Sequence, residues 1–234
     1  MAKSSELSRP GYSNIKANEY EDHSDALKVK IKELAAMIKK SQNCVVYTGA
    51  GISRASGIAD YASKAKKTKA GQENPSLNRL QAQPTDAHHV LVAMHKKGYV
   101  KHWLQQNHDG LAQKAGYPMS KLNEIHGSWF DKKNTVVLMD DCLKPANHAM
   151  LEEWEGKADL CLAIGTSLCG MRSDGIAQKA AKKGGLAIIN LQRTPYDPIS
   201  AVRLYGNLQA IIQQLGHELG IKVTKKVCMQ NPYE

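Results

Sequence analysis

Two short apolar segments each run directly into a glycine turn, and this feature constrains the fold most. The segment CVVY at 44–47 leads into GAG at 49–51, and ADLCLAIG at 158–165 leads into GTS at 165–167. Such strands alternate along the chain with amphipathic helices, an order typical of a parallel sheet. Ser24 is expected to cap the first helix. The other strand-like segments are 99–105, 121–125, 135–139, 185–190 and 201–205, and the helical ones are 24–40, 85–97, 145–154, 174–183 and 207–219. We predict an α/β fold with helices on both faces of the sheet.

The cysteines exclude several classes of protein. The chain of 234 residues has five of them, and no two are three positions apart, so it contains no CxxC pair. This excludes a zinc ribbon, a thioredoxin motif and a haem attachment site. An odd count also argues against a complete disulfide framework and favours a reducing compartment. The positions are Cys44, Cys142, Cys161, Cys169 and Cys228.

The N-terminal region shows none of the usual targeting patterns. Residues 1–30 hold five basic and five acidic side chains, whereas a signal peptide needs an apolar core and a transit peptide is poor in acids. No apolar run approaches the length of a membrane span. We therefore expect a cytoplasmic or nuclear protein without a membrane partner. We expect one domain at 23–220 between a flexible lead-in at 1–22 and a tail at 221–234; the oligomeric state is left open.

Positive charge is concentrated in one part of the chain. The net charge is +10, and residues 62–101 carry eight Lys and Arg against two acids. The stretch 62–83 is polar and lysine-rich and is interpreted as a mobile loop or insertion. Two interpretations of the basic region remain open: an anionic partner, such as nucleic acid or an acidic protein surface, or a solvated loop.

The two glycine turns are candidate ligand sites. In parallel α/β sheets, ligands bind at the carboxyl ends of the strands, next to helix N-termini. Gly49 and Gly51 allow the backbone to approach a phosphate, and Thr166 and Ser167 add hydroxyl donors. A tight structural turn explains either glycine motif alone equally well, but two such turns on one sheet favour a nucleotide ligand.

An ordered set of motifs then resembles the sirtuin family of NAD-dependent protein deacylases. The set is GAGISRASGIADY at 49–61, PTDAHHVL at 84–91, QQNHDGLAQKAG at 105–116, EIHGS at 124–128, GTSL at 165–168, IIN at 188–190 and YGN at 205–207. Each piece alone is weak evidence, whereas their order and spacing are specific. The resemblance covers about residues 40–215. It implies a Rossmann-like sheet in which the family's small domain is strongly reduced.

The resemblance also implies roles for the matched residues. His126 matches the general base, a task that suits histidine because its ordinary pKa lies near neutral pH. Asn107 would act beside it, holding the nicotinamide ribose together with Gln106, and Asp109 would bind the carboxamide. The remaining matched residues would hold the other parts of NAD: Gly49, Ala50, Gly51, Ile52, Ser53, Asp60, Tyr61, Gly165, Thr166, Ser167 and Asn190.

The chain departs from the family pattern at several positions. Only eight residues, 127–134, separate His126 from the next strand-like segment, so the four cysteines of the family's zinc module are missing and no metal is predicted. The family's Val-Phe-Gly-Glu segment, which pairs with the substrate peptide, has Asp140 in place of glycine. Ala62 replaces the arginine of the family's DFR motif, and His108 replaces an apolar residue beside the nicotinamide pocket.

Three functions are compatible with this pattern. The first is an NAD-dependent deacylase acting on an acyl-lysine protein or peptide, which the retained His126, Asn107 and Asp109 favour. The second is an NAD glycohydrolase or ADP-ribosyltransferase, which the altered peptide strand and missing zinc module favour. The third is an NAD sensor without catalysis. The sequence does not indicate which acyl group is preferred.

Overall fold

The predicted strands assemble into one parallel sheet. The computed structural model describes residues 16–58, 81–138, 141–225, 231 and 233. Across these ranges the strands are β1 Cys44–Thr48, β2 Val100–Gln105, β3 Leu122–Glu124, β4 Leu160–Ile164, β5 Leu186–Ile189 and β6 Val202–Leu204. They pair in the order β3-β2-β1-β4-β5-β6, and every pairing is parallel. This order belongs to the Rossmann fold, in which the strand order reverses direction between β1 and β4.

Helices cover both faces of this sheet, as the alternating pattern predicts. They are α1 Ser24–Lys40, α2 Asp86–Lys96, α3 Leu111–Lys114, α4 Pro145–Lys157, α5 Gly175–Lys182 and α6 Leu208–Glu218. A 3₁₀ helix, Ala50–Ser56, follows β1. Side chains alternate across a strand, so Val46 packs with α1, α2 and α6, whereas Val45 and Tyr47 pack with α4 and α5. Burial on both faces explains why β1 and β4 are uninterrupted apolar runs.

The helix ends follow their local chemistry with one exception. Thr85 caps α2, where its hydroxyl accepts from the His88 amide and its own amide donates to the His88 ring. Asn207 caps α6 by accepting from the amide of Ala210. The expectation that Ser24 caps α1 is wrong: Ser24 is the first helical residue, and His23 takes the cap position without a side-chain bond.

The segment after His126 differs from the prediction. The strand predicted at 135–139 is absent at residues 135–138, while Met139 and Asp140 lie outside the described residues. A single bridge joins Ser128 to Thr135. Val136 and Leu138 are exposed among the residues that the structure describes. The strand predicted from the apolar pattern TVVLM is therefore wrong for residues 135–138.

The N-terminal part of the described chain contacts the domain. Glu19 pairs with Gln192, and the Asp22 carboxylate accepts from the amide of Tyr205.

None of the described helices is both long enough and apolar enough to span a bilayer. Within the described ranges no three His, Cys, Asp or Glu side chains come together as a metal site would require, and the four cysteines located there are free thiols.

Candidate active site

The two glycine turns meet at the crevice between β1 and β4. The Gly51 amide donates to the Gly165 carbonyl oxygen at 2.9 Å. A Cβ on Gly51 would lie 2.7 Å from the Gly165 Cα, and a Cβ on Gly165 would lie 2.7 Å from the Ile52 nitrogen. Gly165 also has a φ of +61°. Both positions therefore require glycine, because backbone packs on backbone at the reversal point of the sheet where such folds bind ligands.

Three residues of the expected site share hydrogen bonds beside the first turn. The Asn107 amide nitrogen donates to the Gly49 carbonyl at 3.1 Å and to the Ser53 hydroxyl at 3.0 Å. Ser53 in turn donates to Asp109 Oδ2 at 2.6 Å, and the Leu111 amide donates to Asp109 Oδ1 at 3.0 Å. Burial raises the pKa of Asp109, while the bonds from Ser53 and Leu111 oppose this rise. Asp109 is thus a buried acceptor held in one orientation.

Gln106 connects the end of β2 with the second turn. Its backbone amide donates to the Thr48 carbonyl, and its side-chain nitrogen donates to the Thr166 hydroxyl at 3.0 Å and to the Tyr47 hydroxyl. Nearby, Leu168 has a φ of +50° although it is not glycine. Backbone strain of this kind is concentrated at functional sites in proteins.

His126 lies just beyond β3 on the same side of the sheet. Its Nδ1 is 3.2 Å from the Gln106 carbonyl oxygen. A carbonyl oxygen only accepts, so Nδ1 carries the proton of the neutral ring and Nε2 carries the lone pair. The turn is held by Gly127, where a Cβ would lie 2.2 Å from the Thr135 carbonyl oxygen. In this tautomer Nε2 is the nitrogen of His126 that can accept a proton.

A second histidine faces the first. The ring of His108 is 6.4 Å from that of His126, and its Nδ1 lies 2.9 Å from the Gly127 carbonyl. The same argument therefore places the proton of a neutral His108 on Nδ1. The departure from the family pattern at position 108 puts an additional polar ring beside the expected base.

The remaining expected residues lie elsewhere on the two turns, after β5 or outside the described ranges. Asn190 follows β5, where its side chain donates to the Gln192 carbonyl at 3.0 Å. Ser167 is half-buried, and its carbonyl accepts from the Cys169 thiol. Ala50 and Ile52 belong to the 3₁₀ helix, with Ile52 fully buried. Asp60 and Tyr61 lie outside the described residues.

Two groups of residues beside the site were not predicted from the sequence. Tyr47 and Asp174 bond to each other behind Gln106. Tyr233 donates to the buried carboxyl of Glu124 at 2.5 Å and accepts from Gln113 at 2.5 Å. Burial raises the pKa of Glu124. A tyrosine within an aliphatic strand was the available signal for Tyr47; the distant Tyr233 gave none.

The sequence of this chain is similar to that of known NAD-dependent protein deacetylases. The Sir2 family model matches residues 68–135. The NAD-dependent protein deacetylase SRT1 of Arabidopsis thaliana is 32% identical over 88% of this chain and 52% of its own length. Sirtuin-7 of Bos taurus is 26% identical over 90% of this chain and 65% of its own length. The chain thus spans about half of SRT1 and less than two thirds of sirtuin-7.

A shorter relative and the solved structures match over most of their length. An NAD-dependent protein deacetylase of Sulfolobus acidocaldarius is 30% identical over 71% of this chain and 86% of its own length. A structure of Sir2Tm bound to a propionylated peptide superposes with a TM-score of 0.71 at 24% identity, covering 82% of this chain and all of that one. The latter supports the fold, and the former decides the family: the chain belongs to the Sir2 family, the sirtuins.

Proposed function

We propose that the protein is an NAD-dependent protein-lysine deacylase that transfers the acyl group to ADP-ribose and releases nicotinamide. The observation that carries this proposal is the convergence of His126 with the Asn107–Ser53–Asp109 cluster at the crevice between the two glycine turns. The names of the relatives, NAD-dependent protein deacetylases, support it.

The residues at the crevice fit NAD. The amides of Gly49, Gly51 and Ile52 already donate to carbonyl oxygens, so they hold the turns together. Donors for the pyrophosphate then come from the amide of Ala50, which begins the 3₁₀ helix, and from the hydroxyls of Thr166 and Ser167. Asn190 would meet the adenosine ribose beyond β5. Asp60 and Tyr61, which lie outside the described residues, are also proposed to contact NAD.

The reacting end of NAD would lie beside Asp109 and His126. When bound, NAD supplies a ribose carbon whose bond to nicotinamide breaks as an acyl oxygen attaches. Asp109 offers a carboxylate acceptor to the carboxamide NH₂, and its bond from Ser53 fixes the direction of that acceptor. Asn107 and Gln106 hold the ribose. His126 takes a proton from a ribose hydroxyl through Nε2, which activates that hydroxyl toward the acyl group.

One observation favours a second candidate function. Residues 127–138 form a single bridge and no strand, so this described segment offers no paired strand that a peptide would extend. An enzyme that uses the same site for NAD hydrolysis or ADP-ribosyl transfer needs no such edge. We retain it as the alternative to the deacylase.

The partner and compartment also belong to this proposal. An acyl-lysine protein or peptide is the expected substrate. The basic region 62–101 is proposed to meet an anionic partner, although residues 62–80 of it lie outside the described structure. The domain bounds of 23–220 and a cytoplasmic or nuclear location complete the proposal.

A single assay distinguishes the two functions. Purified protein is incubated with NAD, with and without an acetyl- or succinyl-lysine peptide, and the products are identified by mass spectrometry. We expect O-acyl-ADP-ribose only when peptide is present. ADP-ribose formed at the same rate without peptide would reject the deacylase and support the alternative.

The role of His126 is tested in the same assay. His126→Ala should abolish deacylation, because the ribose hydroxyl loses its base. His148→Ala is the matched control: that ring lies on the outer helix α4 beside Glu152, and the variant should keep wild-type activity. Full activity in His126→Ala would show that the base has been assigned to the wrong residue.

A further inference from the structure

A buried chain of hydrogen bonds runs from Asp174 through Tyr47 to Gln106. Tyr47 lies in β1 and is fully buried on the face covered by α4 and α5; Asp174 directly precedes α5 and is 1% exposed. The Tyr47 hydroxyl is 2.7 Å from Asp174 Oδ1 and 2.7 Å from the Ser173 hydroxyl. It also accepts a hydrogen bond from the side-chain nitrogen of Gln106. These hydrogen bonds thus connect the interior of the domain with the crevice.

The direction of each proton follows from chemistry. Asp174 Oδ2 accepts from the amides of Gly170 and Met171, each at 2.9 Å, so several donors converge on this carboxylate. A carboxylate only accepts, and the single proton of Tyr47 therefore points to Asp174. Burial, and then the charge of Asp174, raise the pKa of the Tyr47 hydroxyl well above its usual value, so this proton stays in place. Ser173 and Gln106 must then donate to Tyr47.

The same reasoning fixes the amide of Gln106. One proton of its nitrogen goes to Tyr47 and the other to the Thr166 hydroxyl oxygen at 3.0 Å. The amide oxygen remains as an acceptor and faces the first turn, where it would lie 2.9 Å from a Cβ on Gly49. Thr166 Oγ1 also accepts from the Leu168 amide at 3.4 Å, so its own proton is available for donation.

We propose that Tyr47 and Asp174 are positioning residues that set the hydrogen-bond polarity of the crevice, so that Gln106 presents an acceptor and Thr166 presents a donor. This pair suits a ribose hydroxyl beside a phosphate oxygen. The inference rests on the proposed function for the identity of the ligand, since NAD carries both groups. It adds two residues that contact no ligand themselves and act through Gln106.

The test compares two tyrosines that are both buried. Tyr47→Phe removes the hydroxyl on which Gln106 depends. Tyr117→Phe is the matched control, because the Tyr117 hydroxyl is buried on the opposite face and has no hydrogen-bond partner in the described structure. NAD affinity is measured by calorimetry, and exchange of the Gln106 side-chain amide protons with solvent is measured by NMR without ligand.

The expected results separate positioning from general destabilisation. In Tyr47→Phe we expect the Kd for NAD to rise about tenfold, because Gln106 is no longer fixed and the ligand loses the equivalent of one buried hydrogen bond. The KM for NAD should rise more than kcat falls. The Gln106 amide protons should exchange about tenfold faster, and Tyr117→Phe should change neither quantity. If Tyr47→Phe fails to fold, Asp174→Asn is measured in its place and should also accelerate the exchange.

The outcomes distinguish this inference from the proposed function. Equal exchange of the Gln106 protons in wild type and Tyr47→Phe, or in Asp174→Asn when that variant is used, overturns the positioning role whatever the protein binds. If the wild-type protein does not bind NAD but exchange is faster in Tyr47→Phe than in wild type, the positioning role is supported and the proposed function is rejected. If NAD binding is unchanged in Tyr47→Phe, the positioning role is rejected and the proposed function stands.

Discussion

His102 provides a quantitative test of how burial in this fold controls protonation. It lies on β2 with 2% of its surface exposed, and its ring stacks on Trp154 at a centroid distance of 4.7 Å and an angle of 7°. Its Nε2 has no hydrogen-bond partner in the described structure. Burial lowers the pKa of His102 from 6.5 to about 3. The folded protein therefore excludes a proton that the unfolded chain accepts.

The sign and size of the effect follow from this difference. As the pH falls below 6.5, the unfolded chain binds a proton at His102, while the folded protein does not until about pH 3. Acid therefore removes stability over this window. Between pH 7.5 and pH 5.0, the free energy of unfolding contributed by this one residue falls by about 2 kcal/mol.

The perturbation is His102→Phe. Phenylalanine keeps a flat ring against Trp154 but cannot take up a proton, so the acid-dependent loss disappears. We expect the stability difference between variant and wild type to shift in favour of the variant by about 2 kcal/mol from pH 7.5 to pH 5.0. Urea unfolding followed by circular dichroism at both pH values measures it.

Tyr117→Phe is the matched control for this experiment. It also removes a buried polar atom without a hydrogen-bond partner from an aromatic ring. Burial raises the pKa of Tyr117, so this hydroxyl does not titrate between pH 5.0 and 7.5. Its stability difference should be the same at both pH values. If His102→Phe also shows no pH dependence, His102 is not protected from protons in the folded state and the reasoning is refuted.

Two further predictions concern the site. Gly165→Ala places a Cβ 2.7 Å from the Ile52 nitrogen at a φ of +61°, so we expect it to abolish NAD binding measured by calorimetry. Gly184→Ala is the control, because Gly184 has a φ of +73° but a Cβ there would have nothing within 4 Å. This control should only lower the free energy of unfolding in urea, by about 1 kcal/mol. Equal binding in both variants would contradict the role of close turn packing. In Asp109→Asn, an NH₂ donor takes the place of one of the two carboxylate oxygens that accept from Ser53 and Leu111. We expect kcat/KM for nicotinamide release to fall on the order of 10- to 150-fold. An unchanged kcat/KM would contradict the role of Asp109.

Local patterns explain why so much of the fold could be predicted. Helix α1 and strands β1 and β4 are continuous in sequence, and their apolar spacing reports which face of each is buried. The prediction of a strand at 135–138 is wrong, although it rests on the same kind of local pattern as the correct predictions. The apolar residues of this segment follow the pattern of a strand, but within the described part of the chain no layer covers Val136 and Leu138, which are exposed.

The sequence by itself determined the alternation of strands and helices, the two glycine turns and the ordered motifs that identify the family. These are properties of short segments, in which backbone geometry and periodicity restrict the residue types. Only the tertiary structure decided how the site is held. Tyr47 meets Asp174 across 127 positions and Tyr233 meets Glu124 across 109. Such contacts, and the direction of the protons within them, depend on how strands and loops are arranged in space, which spacing along the chain does not encode.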